Sequence, residues 1–533
     1  MKSKWFMFLI ALFGVGPGCA PKPVQKGNGK HPLRTCLFMD PATLDPRKNG
    51  DVYSSTINFL LYDGLTRIRP DGSTDLALAE SVDISEDGKT YTFHLRDAVW
   101  SDGHPITADD FEYSWKKILD PRFASPCPHL FFAIKNAELA AGGDVELSEV
   151  AIRALDAKTL QVELENPTPY FLSLISFCNF YPIPKHIEEV NPFWQNVNHK
   201  GLVSSGPFEL IDWTHNREIK VKKSPSYWDK EHVYLDEIDL AIIPEQKTAL
   251  NLFETGELDF VTTLTMPLNT DDLLYWQKKG HLLSAPVAGT AFCTFNMERF
   301  PFHNLNIRKA LSLAIDRDAI LRHISPFANQ VATRCIPPNL LPNTQKTLFP
   351  DFAPELARVY LKKGLQELGI DLATFEKACV LSFDNSEDRK KIAQVIQQQW
   401  KEVFGIHITL QTLDMKSHMH RLLSRNYSIA IAQYIAQYND ANNILERFKH
   451  KATQKNLPGF ENAEYVRLLD EAASTTSAMQ REALLAQAEE SFSAEIPLVP
   501  LHHFSQHVLV NEDYTNLEFS PIGNLLYKNV RPQ

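Results

Sequence analysis

A regular alternation of apolar and polar residues, IAQYIAQYND, occupies positions 431–440. Its four-residue repeat is compatible with a helix turn, because residues three and four apart share a helix face. Strict alternation is equally compatible with a strand, in which successive side chains point to opposite faces. A strand would place Ile431, Gln433, Ile435 and Gln437 on one face and Ala432, Tyr434, Ala436 and Tyr438 on the other. The pattern alone leaves both structures open.

Two neighbouring segments give clearer predictions. Residues 80–96 alternate on either side of Asp87-Gly88, a dipeptide that favours the positive φ angles of a tight turn, so they predict a β-hairpin. Residues 107–121 predict a helix that starts at Thr107, carries Asp110 in its first turn and ends before Pro121. Its apolar stripe is Phe111, Trp115, Ile118 and Leu119.

The second half of the chain alternates helices with strands. Residues 306–315 have helical spacing behind Asn306. Apolar positions from Ile392 to Val403 predict a further helix that stops at Gly405. The alternation of Ile406, Ile408 and Leu410 then predicts a strand. A helix that runs into a strand is typical of an α/β fold.

Length and charge narrow the class of protein. A chain of 533 residues is too long for one hydrophobic core and predicts two or three domains. A net charge of −11, spread along the chain, argues against nucleic acid or anionic lipid as a partner.

The N-terminus has the features of an export signal. Lys2 and Lys4 precede an apolar run from Trp5 to about Gly16, which is shorter than the roughly 18 residues that span a bilayer. Gly18-Cys19 is similar to the end of a bacterial lipoprotein cleavage box, although Gly16 and Pro17 stand where a Leu-Ala or Leu-Ser pair is usual. We expect residues 1–18 to be a signal peptide, Cys19 the lipidation site and residues 19–32 a flexible tether. A plain secretory signal is the alternative, and removal of residues 1–18 changes the net charge from −11 to −13.

No other segment is apolar enough to cross a membrane, so the mature protein is expected outside the cytoplasm. Six cysteines remain beyond Cys19, at wide spacings and without a CxxC pair. Buried free thiols are the expectation, with one disulfide left possible.

Catalytic and metal motifs give no support for an enzyme. The sequence contains no GxSxG, HExxH, GxxxxGK[ST] or GxGxxG. HHFSQH (502–507) and HMH (418–420) carry histidines, but no cysteine or acid accompanies them at the spacing of a zinc site. We expect no cofactor, no metal and no catalytic residue.

Several longer stretches together resemble the periplasmic oligopeptide-binding proteins of ABC importers, the extracellular solute-binding family 5. WSDGHPITADDFEYSW (100–115) is the most specific of them. The others are LDPRKNGDVYSSTINFLLYDGLTRI (44–68), SSGPFELIDW (204–213), SPSYWDK (224–230) and PFHNLNIRKALSLAIDRDAI (301–320), and the segment 426–440 joins them. Their order covers essentially the whole mature chain.

The resemblance implies an α/β fold of the two-lobed periplasmic-binding-protein clamp, large cluster C type, with an extra inserted domain. Domain I would comprise residues 33–62, 185–286 and 504–533. The inserted domain II would span 63–184, and domain III would span 287–503. Ligand would lie between the lobes, and closure would bury it.

The same resemblance implies a ligand-binding site. Segment 431–440 would be a strand that ends in a loop, with the backbone of Gln433, Tyr434 and Ile435 pairing with an extended peptide. The opposite lobe would contribute Gly50, Asp51 and Val52.

Three family contacts differ in this sequence. Gln437 stands where relatives carry an Asp that binds the peptide α-ammonium group. Met415 stands at the position of a ligand-stacking Trp, and Ile431 at that of an Arg found in some relatives. Two hypotheses follow with equal weight. Either Gln437 is neutral drift in a working peptide binder, or specificity has changed, with Asp440 or Asp51 taking over the charge or the ligand lacking a free amino terminus.

The sequence therefore predicts a monomeric binding protein that delivers peptides or peptide-like solutes to an ABC permease and its ATPase subunits, attached to the membrane through its lipid anchor alone. A non-peptide ligand such as a metal chelate, haem, a sugar or a modified cell-wall peptide is the first alternative. A secreted hydrolase and a surface adhesin or signalling lipoprotein are the others.

Overall fold

The computed structural model describes residues 32–196, 201–323, 327, 331–344 and 346–533. The predicted signal peptide, Cys19 and most of the tether lie outside the described residues. Residues 32–533 form one compact unit. Within the described residues, no helix has the length and apolar character needed to span a membrane.

The strands are as follows, in chain order: β1 (Leu33–Leu37), β2 (Thr66–Ile68), β3 (Thr74–Leu76), β4 (Ala79–Ile84), β5 (Thr90–Leu95), β6 (Ile152–Asp156), β7 (Thr159–Glu163), β8 (Phe208–Thr214), β9 (Glu218–Lys223), β10 (Glu237–Ile242), β11 (Phe260–Thr262), β12 (Leu282–Phe295), β13 (Val380–Asp384), β14 (Thr409–Leu413), β15 (Ile429–Ile435), β16 (Leu498–Val510), β17 (Tyr514–Thr515) and β18 (Arg531–Pro532).

The α-helices are α1 (Val52–Leu61), α2 (Ala108–Ile118), α3 (Ala137–Gly142), α4 (Phe171–Leu174), α5 (Lys185–Glu188), α6 (Gln246–Glu254), α7 (Thr270–Lys279), α8 (Leu305–Leu313), α9 (Arg317–His323), α10 (Pro354–Leu368), α11 (Leu372–Ala378), α12 (Glu387–Phe404), α13 (Met415–Leu423), α14 (Asn442–Leu445), α15 (Ala463–Ser474) and α16 (Ala478–Ala494).

Three larger sheets organise these elements. One sheet has the order β1-β10-β9-β8, and a second, formed by the antiparallel order β4-β5-β7-β6, contains the predicted hairpin. The third sheet has six strands in the order β11-β16-β12-β15-β13-β14. Its β13–β14 and β13–β15 pairs are parallel and its other pairs antiparallel, so it is a mixed sheet.

The long strands β12 and β16 connect two sets of cores. The largest hydrophobic cluster draws on residues between Leu33 and Phe260 and on the C-terminal tail. Two other clusters draw mainly on residues 288–501 and lie on opposite faces of the six-stranded sheet. The β12–β16 register is irregular between Pro286 and Thr290, where β12 has three intervening residues and β16 has one. Such a bulge bends a ladder locally.

Local predictions hold where the chain supplies its own signals. The helix at 107–121 is α2, with Thr107 as N-cap and the Asp110 carboxylate accepting from Thr107 N at 2.9 Å. Helix α12 ends at Gly405, whose φ of +73° is the left-handed conformation that glycine adopts without strain. The six described cysteines are free and buried, as expected.

Two boundaries were wrong. Helix α8 starts at Leu305 behind Asn304, whose side chain accepts from Ile307 N, so Asn306 is inside the helix instead of capping it. The strand expected from Ile406 begins only at Thr409. Ile406 and Ile408 are buried in a hydrophobic cluster but do not belong to a strand. Their apolar pattern reflects burial, which does not require strand pairing, and this is why the strand was predicted too early.

Candidate functional site

Segment 431–440 is a strand followed by a loop. Strand β15 pairs antiparallel with β12 from Ile429↔Phe295 to Ile435↔Gly289, which excludes the helix turn. The flanking bonds Asn296 N→Ser428 O and Ala436 N→Ala288 O fix which residues bond to β12. Hydrogen-bonded and non-hydrogen-bonded pairs alternate in an antiparallel ladder. The even-numbered residues of β15 therefore direct their backbone N–H and C=O groups to β12, and the odd-numbered residues direct theirs to the opposite edge of the strand.

That opposite edge is unpaired over the second half of β15. Strand β13 pairs with Ile429 and Ala430, and in the described chain no strand pairs with this edge beyond Ala430. His418 Nε2 lies 2.9 Å from Ile431 O, and Arg447 donates to Ile435 O at 3.1 Å. Gln433 and the N–H of Ile435 therefore present backbone groups that an extended ligand can bond.

The side chains of β15 explain its alternation. Ala430, Ala432, Tyr434 and Ala436 lie in one hydrophobic cluster, and the Tyr434 hydroxyl donates to Cys335 O at 2.9 Å. Gln433 and Ile435 point to the other face and are exposed. A Cβ at Gly289 would lie 2.9 Å from both Ile435 Cγ1 and the Phe504 ring, so only glycine fits between them. The Tyr434 side chain is thus part of the core and its backbone groups face β12, so Gln433 and Ile435 are the residues of this part of β15 that can meet a ligand.

Two further residues border this edge. Gln433 Oε1 accepts a hydrogen bond from the guanidinium of Arg389. Burial lowers the pKa of Arg389. Met415 is the first residue of α13 and is 54% exposed. It lies one turn before His418, the residue that contacts Ile431 O.

Gly50, Asp51 and Val52 lie at the start of α1. Asp51 is its N-cap and accepts from Ser54 N at 2.9 Å and from Ser54 Oγ at 2.7 Å. A Cβ at Gly50 would lie 3.2 Å from Pro126 Cγ. Gly50 therefore adjoins the segment that also carries His129.

The same segment brings His129 to Gln437. The Gln437 side chain lies beside the His129 imidazole, and Gln437 N donates to Asn443 Oδ1 at 3.0 Å. Lys455 Nζ lies 2.8 Å from His129 Nε2. Burial and the neighbouring Lys455 lower the pKa of His129 to about 3, so the neutral imidazole accepts from the ammonium group.

Cations dominate the surroundings of Gln437. Burial and the nearby Arg447 lower the pKa of Lys455 to about 8, so it remains mostly charged at neutral pH. Arg447 donates to Ile435 O and to Asn443, and burial lowers its pKa. In the described part of the chain, neither cation has a carboxylate within ion-pair distance.

Asp440 lies three residues further on and has a different role. Its carboxylate forms a bidentate ion pair with Arg481, at 2.7 and 2.8 Å. The Arg481 guanidinium lies 5.0 Å from the centre of the Tyr170 ring, and Tyr170 stacks on Tyr438 at 5.2 Å. Asn439 Nδ2 also donates to Gly72 O at 3.0 Å. Asp440 thus holds the loop against residues of the predicted domain II.

The structure therefore weakens one hypothesis from the sequence. Neither Asp440, balanced by Arg481, nor Asp51, which caps α1, is free to replace the missing acid at 437. His129, Lys455 and Arg447 were missed by sequence reasoning. Each occurs in a segment without a motif, and only contacts over long sequence separations bring them to Gln437.

The histidine motifs form no common centre with one another. His503 Nδ1 lies 2.9 Å from Thr290 Oγ1 and His507 Nδ1 lies 2.8 Å from Ser284 Oγ, so these buried rings link β16 to β12. Burial lowers the pKa of His503 and of His507 to about 4.

A different cluster, Asp102, His104 and His186, brings three potential metal-ligating atoms within 4.8 Å of one another. Its members already contact each other, with His186 Nε2 2.7 Å from Asp102 Oδ2. The contact ties the turn after Trp100 to α5.

The chain is similar to a set of known binding proteins. The family model of the bacterial extracellular solute-binding proteins, family 5 (middle) matches residues 75–456. The oligopeptide-binding protein OppA of Bacillus subtilis is 34% identical, covering 99% of this chain and 99% of the relative. The probable deoxycholate-binding periplasmic protein YgiS of Escherichia coli is 30% identical, over 87% of this chain and 86% of the relative.

A solved structure agrees with these relatives. The crystal structure of a periplasmic oligopeptide-binding protein, OppAIV, from Borrelia burgdorferi has a TM-score of 0.81 and 29% identity, covering 94% of this chain and 99% of that one. The predicted α/β, two-lobed fold is thereby confirmed. From the matched residues and the full-length similarity, the chain belongs to the bacterial extracellular solute-binding proteins of family 5.

Proposed function

We propose that this protein captures peptides or peptide-like solutes outside the cytoplasm and delivers them to an ABC importer. The observation that carries the proposal is the unpaired edge of β15 at Gln433 and Ile435, in a chain whose relatives are named for oligopeptide binding. An edge of this kind binds what every peptide shares, its backbone N–H and C=O groups. Side chains of the ligand then need only space.

The opposite wall is formed by Gly50, Asp51 and Val52. Gly50 adjoins Pro126, three residues before His129, and His129 lies beside Gln437, which supports a cleft between this wall and the end of β15. Ligand would lie along the edge from Gln433 towards Gln437, with Met415 beside it.

Strands β12 and β16 would act as the hinge when the two lobes close around a ligand. These strands are the long connections between the two sets of cores, and their register breaks between Pro286 and Thr290. The break supports domain boundaries near 286/287 and 503/504, with the inserted domain at 63–184. Small-angle scattering should show compaction when ligand is added.

The mature protein would be a monomer anchored through an acylated Cys19, with residues 19–32 as its tether. Its partners would be a permease and the associated ATPase subunits. Mass spectrometry of the cell-derived N-terminus would test the anchor, because a free amine at a residue other than Cys19 is incompatible with it.

The edge can be tested with one matched pair of variants. Gln433→Pro removes a backbone N–H that points away from β12, whereas Gln433→Ala keeps it and removes only the side chain. We expect the Pro variant to lose about tenfold or more in affinity for a mixture of tri- to pentapeptides, and the Ala variant to lose far less. Equal affinities of the Pro variant and the wild type would exclude pairing at this edge.

A non-peptide ligand is the second candidate, favoured by the relative named for deoxycholate binding and by Gln437. Native mass spectrometry of the purified protein, followed by analysis of its denatured extract, separates the cases. Intact peptides support the proposal, and a steroid or other non-peptide would replace it. Peptide fragments after incubation would indicate a hydrolase.

A further inference from the structure

We propose that Gln437, Lys455 and Arg447 form a carboxylate subsite, so that the ligand end lying beside Gln437 is an anion and not an ammonium group. The inference rests on the proposed function, because it assigns the chemistry of one end of the same ligand. Two sources can supply the group, an acidic acyl substituent on the peptide N-terminus or the C-terminal carboxylate of a peptide bound in the opposite direction.

The surroundings of Gln437 carry an excess of positive charge. Lys455 and Arg447 are close enough for Arg447 to lower the pKa of Lys455, and no described carboxylate forms an ion pair with either. Two like charges in a partly desolvated site repel each other unless an anion lies near both. A ligand carboxylate supplies that anion, whereas an ammonium group adds a third positive charge.

Hydrogen bonds within the protein hold the donor groups of Lys455 and Arg447 in position. His129 accepts from Lys455 Nζ at 2.8 Å, and the Gln437 side chain lies beside the same imidazole. Arg447 Nη2 and Nε bond to Ile435 O and Asn443, which fixes the guanidinium at the end of the unpaired edge. No described group accepts from Arg447 Nη1, so this nitrogen can donate to a ligand.

The neighbouring acids leave these two cations unbalanced. Asp440 is paired with Arg481, and Asp51 caps α1. Glu446 also interacts with Lys455, but it is one negative charge beside the two positive charges of Lys455 and Arg447, and it forms no described ion pair with either. Cys127 contributes no charge at neutral pH, because burial raises the pKa of its thiol. The local balance therefore stays positive.

The experiment uses one tri- to pentapeptide mixture prepared in four forms: free at both ends, N-acetylated, N-succinylated and C-amidated. Titration calorimetry compares wild type with Lys455→Gln, Lys455→Arg and the control Lys451→Gln. Lys451 lies in the same segment and pairs with Glu298 at 3.2 Å, away from His129. Thermal unfolding checks that each variant is folded.

We expect Lys455→Gln to weaken the carboxylate-bearing form by about tenfold or more, while Lys455→Arg and Lys451→Gln retain binding. Preference for the N-succinyl form, lost in Lys455→Gln, identifies an acyl carboxylate. Weakening on C-amidation, again lost in Lys455→Gln, identifies the peptide's own carboxylate.

The inference is overturned if all four forms bind wild type and Lys455→Gln within twofold of each other. It is also overturned if the C-amidated form with a free amine binds wild type most tightly. Failure of every form to bind would instead overturn the proposed function, and the subsite with it.

Discussion

Asp440 and Gln437 lie in one loop, three residues apart, yet their surroundings are opposite. The Asp440 carboxylate forms a bidentate ion pair with Arg481. The neutral amide of Gln437 lies near Lys455 and Arg447, two cations for which the described residues provide no ion-pair partner. The charge of Asp440 thus stabilises the fold, whereas Lys455 and Arg447 have no described carboxylate partner and, in our proposal, bind a ligand anion. An acid near a binding site counts towards recognition only when no protein cation already balances it.

The largest effect is expected where the balanced charge is broken. Asp440→Asn leaves Arg481 without its partner beside Tyr170 and should lower the free energy of unfolding by about 3 kcal/mol. Urea denaturation of the ligand-free protein measures the loss. Asp470→Asn is the control, since Asp470 pairs with Lys449 on the surface and should cost well under 1 kcal/mol. Similar losses in both variants would show that Asp440 is not a special anchor of the loop.

The next effect comes from restoring an acid at the other position. Gln437→Asp should neutralise Lys455, weaken carboxylate-bearing peptides by about tenfold or more and tighten peptides with a free amine. Calorimetry with the four peptide forms gives both numbers, and Gln437→Asn controls for side-chain length. Tighter binding of free-amine peptides without weaker binding of carboxylate-bearing peptides would favour neutral drift at Gln437. Weaker binding of both kinds of peptide would contradict neutral drift and changed specificity alike.

A smaller effect concerns acid stability at His129. Its folded pKa of about 3 lies below the ordinary value near 6.5, so the unfolded chain binds more protons between these pH values. Stability should therefore fall as pH drops through this window, with His129 contributing about 1 kcal/mol at pH 5 after solvent screening. His129→Gln should flatten the decline between pH 7 and 5 in urea titrations. The control is His94→Gln, a residue of β5 whose side chain is 44% exposed. An unchanged slope in His129→Gln would contradict the assignment.

The smallest effect is on the alkaline side. Lys455, with a pKa of about 8, loses its charge as pH rises from 7 to 9, so the affinity for N-succinyl or C-carboxylate peptides should fall several-fold. Lys455→Arg should bind with little change over this range, because an arginine stays charged. Identical pH profiles for the two proteins would mean that Lys455 does not touch the ligand anion.

The sequence by itself determined those features whose causes are local. Asp87-Gly88 gave the β4–β5 hairpin, Thr107 with Asp110 started α2, and Gly405 ended α12, because turn and cap conformations depend on a few adjacent residues. The family resemblance then favoured a strand within 431–440, which the structure confirms, and predicted that Gln437 lies in the ligand-binding site. The predicted start of β14 at Ile406 was wrong by three residues, because buried residues are apolar whether or not they belong to a strand.

Only the tertiary structure decided which charges meet. His129 and Lys455 are 326 residues apart in the chain, and the pairing of Asp440 with Arg481 spans 41 residues, so neither contact has a local sequence pattern. Tertiary packing also left one edge of β15 open, because β13 pairs with its first two residues alone. Electrostatic energy depends on distance and burial, which folding sets, whereas the sequence specifies only which charges exist.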